Sequence, residues 1–225
     1  VRGMRDLLPE EAETMRRIEQ LARTVAQLFG YKEVITPVME HYELLAAKIG
    51  EENRERMYVF EDLGGRKVAL RPEFTASMAR LVSTELMYEP KPIRLFCTGS
   101  LYRYDEPQFG RHREFWQANY ELIGSSRHEA DAEIIALTIE LLKKLHLRNY
   151  YIKVGHVGIL RGILSEEGIK EAEQNSVMQL LDKKEWDEAL DLVKNVGGSE
   201  RCQGTLRKIF EARGSDPAHV VENIR

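Results

Sequence analysis

Residues 102–124, YRYDEPQFGRHREFWQANYELIG, constrain the fold more than any other part of the chain. From Arg113 to Leu122 the residues alternate between two sets, which predicts a β-strand because successive side chains of a strand point to opposite faces. One set is Phe115, Gln117, Asn119 and Glu121, and the other is Trp116, Ala118, Tyr120 and Leu122. The first set holds polar groups that a core would not tolerate. The pattern therefore predicts two strands joined by a charged hairpin, with one face for packing and one for recognition.

Basic and turn-forming residues fill the connection between the two strands. Arg103 lies on the first strand, whereas Arg111 and Arg113 follow Pro107 and Gly110 in a stretch that favours a turn. Guanidinium groups bind phosphate through paired hydrogen bonds, so one arginine on a strand and another on a loop are suited to a nucleotide. The alternative is a solvated, ion-paired hairpin, because runs of charge are usually solvated faces.

The polar set of the second strand offers further ligand contacts. Phe115, if it shares a face with Arg103, is free to stack on a base. Gln117 and Glu121 are four residues apart, which is about 13 Å along a strand, so they would contact different parts of one polar ligand. The alternative is a wet face, since one side of an antiparallel sheet often faces solvent.

Glu73 is a third candidate, at the point where a strand passes into a helix. Pro72 is placed to open a helix that runs to about residue 86. An acid in a first helical turn is stabilised by the helix dipole, which explains Glu73 without any ligand. If the preceding strand ends beside the hairpin, Glu73 instead points its carboxylate into the same cavity, ready for an ammonium group.

Composition excludes several classes of protein. The formal net charge of −4 gives no overall attraction to nucleic acid, so any RNA contact must be local. Cys97 and Cys202 are too few for a disulfide framework or a zinc site, and no signal peptide or membrane span is evident, so we expect a cytoplasmic protein. The six histidines are scattered without metal or catalytic-triad spacing, which favours chemistry by positioning and charge.

Periodicity predicts an α+β fold on an antiparallel sheet, with a small helical appendage. Pro37 interrupts one predicted strand, which favours a sheet edge or a subunit boundary. The predicted elements of the first part are a helix over residues 10–29, strands over 32–39, 57–61, 67–70 and 93–104, a helix over 129–145 and a strand over 149–157. After about residue 160 we expect helices alone, over 169–181, 185–193 and 204–213. We therefore predict two domains, 1–158 and 159–225.

The motifs resemble those of class II aminoacyl-tRNA synthetases, and in particular the histidyl-tRNA synthetase family. RGMRDLLPEE stands near the start of the chain, at residues 2–11, and residues 30–37 are similar to motif 1. LRPEFTA at residues 70–76, followed by RYDEPQFGRHREFWQ and ELIG, is similar to the amino-acid-binding segment and motif 2. The resemblance covers roughly residues 1–157, and the combination of LRPE-x-T with this form of motif 2 is highly specific.

The resemblance implies a histidine–tRNA ligase that uses ATP and magnesium, forms histidyl-adenylate and charges the 3′ end of tRNA(His). It implies a homodimer formed through motif 1, which contains Pro37, and a helical insertion domain that contacts the tRNA acceptor arm. The implied roles of the individual residues are as follows: Arg103 on the ATP α-phosphate, Arg111 on the distal phosphates, Asp105 on adenine or the loop, Phe115 stacked on adenine, Glu73 and Thr75 at the amino end of histidine, Gln117 and Glu121 at its carboxylate and imidazole sides, and Gln108 at the tRNA acceptor end.

Three features depart from the family pattern. Asp105 replaces the usual glutamate of motif 2, and Glu106 stands where bacterial relatives often carry a basic residue. The later histidine-binding segment and the glycine-rich motif 3 do not occur in these 225 residues. We therefore expect a fragment that cannot complete adenylation at family rates, an expectation that full histidine-dependent ATP/pyrophosphate exchange by this chain would contradict.

Two other functions are compatible with the sequence. A histidine-sensing regulatory subunit of ATP phosphoribosyltransferase would keep Glu73 and Gln117 but would not need the ATP arginines. Binding of ATP that is lost on Arg103→Ala and Arg111→Ala would favour the synthetase. A plain RNA-binding module is disfavoured by the acidic balance of charge.

Overall fold

The computed structural model describes residues 1–47, 49–107 and 110–211, without the side chains of residues 51 and 52. It divides into two compact units, Val1–Tyr150 and Tyr151–Arg225. The first unit combines helices with two small sheets, and the described part of the second contains helices without strands. The α+β class predicted from the sequence is confirmed.

The elements of the first unit follow one another in this order: α1 (Pro9–Leu28), β1 (Lys32–Glu33), β2 (Met39–His41), α2 (Tyr42–Ala46), α3 (Glu51–Glu55), β3 (Val59–Glu61), β4 (Lys67–Leu70), α4 (Thr75–Thr84), β5 (Ile93–Tyr102), β6 (Glu114–Ile123) and α5 (His128–Lys144). Gly30, the residue directly after the predicted first helix, has a φ of 78° that glycine adopts without strain. The sequence did not predict the two short helices α2 and α3.

The first sheet has the strand order β1-β5-β6 and contains the predicted hairpin. β5 and β6 are antiparallel along their whole length, from the pair Ile93 and Ile123 to the pair Tyr102 and Glu114. β1 runs parallel to β5, so the sheet is mixed rather than purely antiparallel. Both predicted hairpin strands lie within two residues of β5 and β6.

Each face of this sheet covers a separate core. One face packs on α1 and α5, and its buried residues are Ala22, Val25, Ala26, Tyr31, Phe96 and Leu137. The opposite face packs on α4, and its buried residues are Phe74, Met78, Val82, Ile93, Leu95, Cys97 and Leu101. Because α4 covers β5 on this second face, its first residues lie close to the polar side chains of β6.

The strand predicted over residues 32–39 is wrong, because the segment forms two short strands in different sheets. β1 pairs with β5, whereas β2 pairs with β4 in a second sheet of order β2-β4-β3. Between them the carbonyl oxygens of Thr36 and Pro37 accept hydrogen bonds from Arg71, at 2.8 and 3.4 Å. Pro37 also lacks an N–H, so the ladder cannot continue through it.

The helix predicted from Pro72 begins later than expected. α4 starts at Thr75 with Phe74 as its N-cap residue. The Pro72 carbonyl oxygen accepts a hydrogen bond from Arg103 Nε at 3.0 Å, which fixes the connection between β4 and α4. Glu73 therefore precedes the helix, one residue before its N-cap, rather than lying in its first turn.

The strand predicted over residues 149–157 is also wrong. Residues 151–156 have no regular secondary structure, and Tyr151 and Val154 are 79% and 70% exposed. None of the described strands pairs with this segment. A sequence with β propensity forms a strand only where a neighbour supplies ladder hydrogen bonds and packing.

The second unit contains α6 (Val157–Glu166), α7 (Glu171–Asp182), α8 (Trp186–Asn195) and α9 (Glu200–Glu211). The sequence predicted the last three and missed α6; residues 212–213 of the predicted last helix lie outside the described residues. The core of the unit consists of Leu164, Ile169, Val177, Ala189, Leu190, Val193, Cys202 and Leu206. The two compact units divide between Tyr150 and Tyr151. The predicted domains 1–158 and 159–225, and the assignment of the second to an insertion domain, stay predictions.

The carboxylate of Glu167 links the end of α6 to the start of α9. Glu167 follows α6 and accepts hydrogen bonds from the Ser199 backbone N, at 2.7 Å, and Oγ, at 2.9 Å. Ser199 Oγ in turn accepts from the Cys202 backbone N at 3.1 Å, which is the geometry of an N-cap for α9. Within the described part of the chain, no helix is both long and apolar enough to cross a membrane.

Candidate functional site

The polar side chains of β6 lie on the same face of the sheet that α4 packs against. In the hairpin register Gln117 lies opposite Gly99, and Glu121 lies opposite the buried Leu95. Phe115 packs against the core under α4. The alternation of β6 places Asn119 on this face as well, and we call the set Phe115, Gln117, Asn119 and Glu121 the polar face of β6.

Two donors hold the Glu121 carboxylate. Thr75 Oγ1 donates to Glu121 Oε1 at 2.7 Å, and Asn119 Nδ2 donates to the same oxygen at 3.1 Å. Thr75 is the first residue of α4, so the first contact joins the start of the helix to the last third of β6. The structure thus brings together Thr75 and Glu121, which the resemblance assigns to one ligand.

Arg103 lies where the connection before α4 meets the polar face. Its Nε donates to the carbonyl oxygen of Pro72, the residue before Glu73, and its Cζ lies 5.1 Å from the centre of the Phe115 ring. Neither Nη atom of Arg103 nor the half-buried Glu73 carboxylate has a hydrogen-bond partner among the described residues. Both groups are therefore available to a ligand.

Arg113 fastens the base of the loop between β5 and β6. Its backbone O accepts from the Arg103 N at 2.9 Å, and its backbone N donates to the Gly3 O at 2.7 Å. Its side chain is buried: Nε donates to the Asp105 carbonyl oxygen at 3.0 Å, and Cζ lies 3.8 Å from the Tyr104 ring centre. The sequence grouped Arg113 with the phosphate ligands, but its side chain is engaged in contacts within the protein.

The other predicted site residues are placed as follows. The Asp105 carboxylate is largely buried, 3.3 Å from Arg56 Nη1. Arg111 is exposed and pairs with no residue of the described chain. Gln108, the predicted tRNA contact, lies outside the described residues. Pro37 directly precedes Val38, whose carbonyl oxygen accepts from the Arg71 backbone N at 2.9 Å.

Arg71 is a central residue that sequence reasoning did not single out. Its buried guanidinium donates to the carbonyl oxygens of Ser100, at 3.0 Å, and Thr36, and its Cζ lies 4.5 Å from the Phe74 ring centre. Burial lowers the pKa of this guanidinium below its ordinary value. Its acceptors are mostly backbone carbonyl oxygens, which no sequence pattern identifies. The only feature of the sequence that could have pointed to Arg71 is its position beside Pro72 and Glu73.

The arrangement suits binding and positioning. Cys97 lies opposite Asn119, but burial raises the pKa of its thiol to about 12, so it offers no thiolate nucleophile at neutral pH. The described residues contain no group of three or more His, Cys, Asp or Glu able to hold a metal ion. Magnesium at nucleotides usually bridges the phosphates and one or two carboxylates, so the implied ion has no all-protein cage among these residues.

Known proteins resemble this chain along most of its length. A family model described as histidyl-tRNA synthetase matches residues 3–223. The histidine–tRNA ligase of Saccharolobus islandicus (strain M.16.27) is 47% identical over 195 residues, which cover 86% of this chain and 46% of the relative. The family resemblance drawn from the sequence motifs is confirmed.

Solved structures give the same result. A protein of Bacillus halodurans described as an ATP phosphoribosyltransferase regulatory subunit/histidyl-tRNA synthetase is 31% identical, with a TM-score of 0.86 over 99% of this chain and 57% of that one. The apo histidyl-tRNA synthetase of S. aureus is 32% identical, with a TM-score of 0.54 over 64% of this chain and 38% of that one.

The chain spans a little under half the length of the curated relatives it matches. Within that span, the LRPEFT segment and the hairpin that carries motif 2 meet through Thr75 and Glu121, as the sequence motifs require. With a family model that matches all but a few of its residues, this chain belongs to the histidyl-tRNA synthetase family.

Proposed function

We propose that this chain supplies the ATP- and histidine-binding part of a histidine–tRNA ligase. In that reaction the histidine carboxylate attacks the α-phosphate of ATP and pyrophosphate leaves. A hydroxyl at the 3′ end of tRNA(His) then attacks the carbonyl carbon of histidyl-adenylate, and AMP leaves. The observation that supports the proposal best is the hydrogen bond between Thr75 Oγ1 and Glu121 Oε1, at 2.7 Å. It joins the helix that follows the Glu73 turn to the polar face of β6, which also carries Phe115, and the Arg103 guanidinium lies 5.1 Å from the centre of the Phe115 ring.

Two arginines and one aromatic residue would bind ATP. The free Nη atoms of Arg103 would hold the α-phosphate and stabilise the negative charge that develops there during attack. Arg111, exposed on the loop, would hold the distal phosphates until pyrophosphate leaves. Phe115 would stack on adenine, and Asp105 would help to shape the loop through its pairing with Arg56.

Histidine would lie across the polar face of β6. Glu73 and Thr75 would bind its ammonium group at the start of α4, where the Glu73 carboxylate has no partner in the described chain. Gln117 and Glu121 would contact its carboxylate and imidazole sides. The ligand carboxylate would then point toward Arg103, which is the geometry that attack on the α-phosphate requires.

The partners follow from the same proposal. Near Pro37, Ile35 is 93% exposed, and Val38 and Met39 are also exposed, an apolar surface that a second copy would bury in a motif 1 dimer. Gln108 and the helical second unit would contact the tRNA acceptor end. Magnesium would arrive with ATP and neutralise its phosphates, and the cytoplasm would be the site of action.

Calorimetry with the 225-residue chain tests the proposal. We expect separate binding of L-histidine and of ATP with magnesium. Arg103→Ala and Arg111→Ala should each weaken ATP binding about tenfold, the effect of losing one charge-assisted contact. Arg17→Ala is the matched control, since Arg17 is exposed on α1 and pairs with no described residue. A chain that binds neither ligand would refute the proposal.

The second candidate is a histidine-sensing regulatory subunit. The Bacillus halodurans protein, whose description names such a subunit, supports it through a TM-score of 0.86. A sensor needs histidine but not ATP. Histidine binding without any ATP binding, unchanged by Arg103→Ala and Arg111→Ala, would therefore favour the sensor over the ligase.

A further inference from the structure

We propose that Asn119 is a positioning residue for histidine selectivity, which it exerts by aiming the Glu121 carboxylate. The inference rests on the proposed function and adds a residue that none of the motifs discussed above assigns to the ligand. Asn119 lies between Gln117 and Glu121 on the polar face of β6, opposite Cys97 of β5.

Both N–H groups of the Asn119 amide are engaged by the protein. One donates to Glu121 Oε1 at 3.1 Å, and the other points to Met78 Sδ at 3.2 Å. Met78 belongs to α4 and is fully buried, so its sulfur has a fixed position in the core. The same amide nitrogen, Asn119 Nδ2, therefore contacts both the buried sulfur and the Glu121 carboxylate.

The two oxygens of Glu121 are consequently unequal. Oε1 accepts from both Asn119 and Thr75, whereas Oε2 accepts no hydrogen bond in the described part of the chain. Because two hydrogen bonds to Oε1 hold the carboxylate in one orientation, Oε2 points in a fixed direction. Oε2 is thus ready to accept a single N–H, such as that of an imidazole ring.

This arrangement predicts how selectivity arises. A site built to accept an N–H rejects an isostere that lacks it, because the buried acceptor is left unpaired. If Asn119 is removed, the carboxylate can rotate about its last torsion and meet water instead. Discrimination against a ring without N–H should then fall, while ATP binding on Arg103 and Arg111 stays as it was.

The experiment compares two ligands on the 225-residue chain by calorimetry: L-histidine and L-β-(2-thienyl)alanine, whose ring has similar size but no N–H. In Asn119→Ala we expect histidine affinity to fall about tenfold, the typical effect of losing one hydrogen bond to a charged group. Thienylalanine and ATP affinities should change less than about twofold. Asn119→Asp keeps the size and replaces the donor by an acceptor, so it should lose the same discrimination and decides the question if the alanine variant misfolds.

A double-mutant cycle separates positioning from general structure. In a Glu121→Gln background, Asn119→Ala should have almost no further effect on histidine, because its role acts through Glu121. Asn195→Ala, an exposed residue at the end of α8, is the matched control. Normal histidine binding with unchanged discrimination in both Asn119 variants would overturn this inference alone, whereas failure of the parent chain to bind histidine would overturn the proposed function as well.

Discussion

Arg71 Nη1 donates to the backbone carbonyl oxygen of Thr36 at 2.8 Å, across 35 positions of sequence. Through the same guanidinium, the segment after β1 is joined to the end of β5 and to Phe74 at the start of α4. The segment that carries motif 1 and the turn that carries Glu73 therefore share one buried cation. Changes at this cation test how the site is held together.

Arg71→Met removes every donor and keeps part of the apolar stem. Because buried carbonyl oxygens then lose their partner, we expect the free energy of unfolding to fall by about 2–4 kcal/mol, measured by urea unfolding. Arg71→Lys should lose less, since an ammonium keeps the charge but not the planar fork. Arg17→Ala serves as the exposed control, and an equally small effect for Arg71→Met would contradict the role given to the cation.

Gly99→Ala is expected to disturb the same cation from the other side. A Cβ on Gly99 would lie 2.8 Å from Arg71 Nη2 and 3.5 Å from Phe74 Cζ. Since the guanidinium is held by several carbonyls, overpacking should cost about 1–3 kcal/mol of unfolding free energy in the same assay. Gly204→Ala in α9, where a Cβ meets nothing within 4 Å, should instead stabilise by about 0.5–1 kcal/mol.

Acid should weaken the contact between β5 and α5. Arg94 donates Nε and Nη2 to the two oxygens of Glu133, each at 2.7 Å, and this bonding holds the pKa of Glu133 below its ordinary value of 4.5. A depressed folded-state pKa contributes stability that is present above 4.5 and lost as pH falls through the folded-state value.

Glu133→Gln tests this dependence. The variant should be less stable than the parent by up to about 1 kcal/mol at pH 7, and the difference should shrink as pH falls below 4.5. Unfolding by urea at a series of pH values gives the comparison. A difference that does not change with pH would show that the ion pair is not the cause.

The helical second unit provides a separate test. Ser199→Ala removes the side-chain acceptor of the Cys202 N–H and one donor to Glu167, so we expect a loss of about 1 kcal/mol. Ser176→Ala is the matched control, because Ser176 lies inside α7 and bonds only to a carbonyl of its own helix. Thermal unfolding of both variants measures the effect, and equal melting temperatures would argue against the cap.

The hairpin could be predicted from sequence because its signal is local. Alternation from Arg113 to Leu122 depends on neighbouring residues alone, and β6 follows it closely. The segment 149–157 carries a similar apolar pattern, but a strand also needs a neighbour, and sequence periodicity does not report one. The helix start predicted at Pro72 was wrong for a related reason. The Pro72 carbonyl oxygen accepts a hydrogen bond from Arg103, 31 positions away, and the local sequence does not report that partner.

In the candidate site, too, some contacts could be predicted from sequence motifs and others could not. Thr75 and Glu121 belong to recognisable motifs, so their proximity could be predicted. The engagement of Arg113 by Asp105 and Gly3 could not, because both acceptors are backbone carbonyls. Backbone acceptors are present at every position, and only the folded chain selects among them.

The unbroken pairing of β5 with β6 has a consequence for how this protein tolerates change. One residue inserted between Glu114 and Gln117 would exchange the two faces of the strand beyond it and turn Glu121 toward α1. The same insertion among residues 106–112 would leave every downstream side chain on its own face. Length variation in the loop is therefore compatible with an intact polar face of β6, whereas length variation within β6 is not.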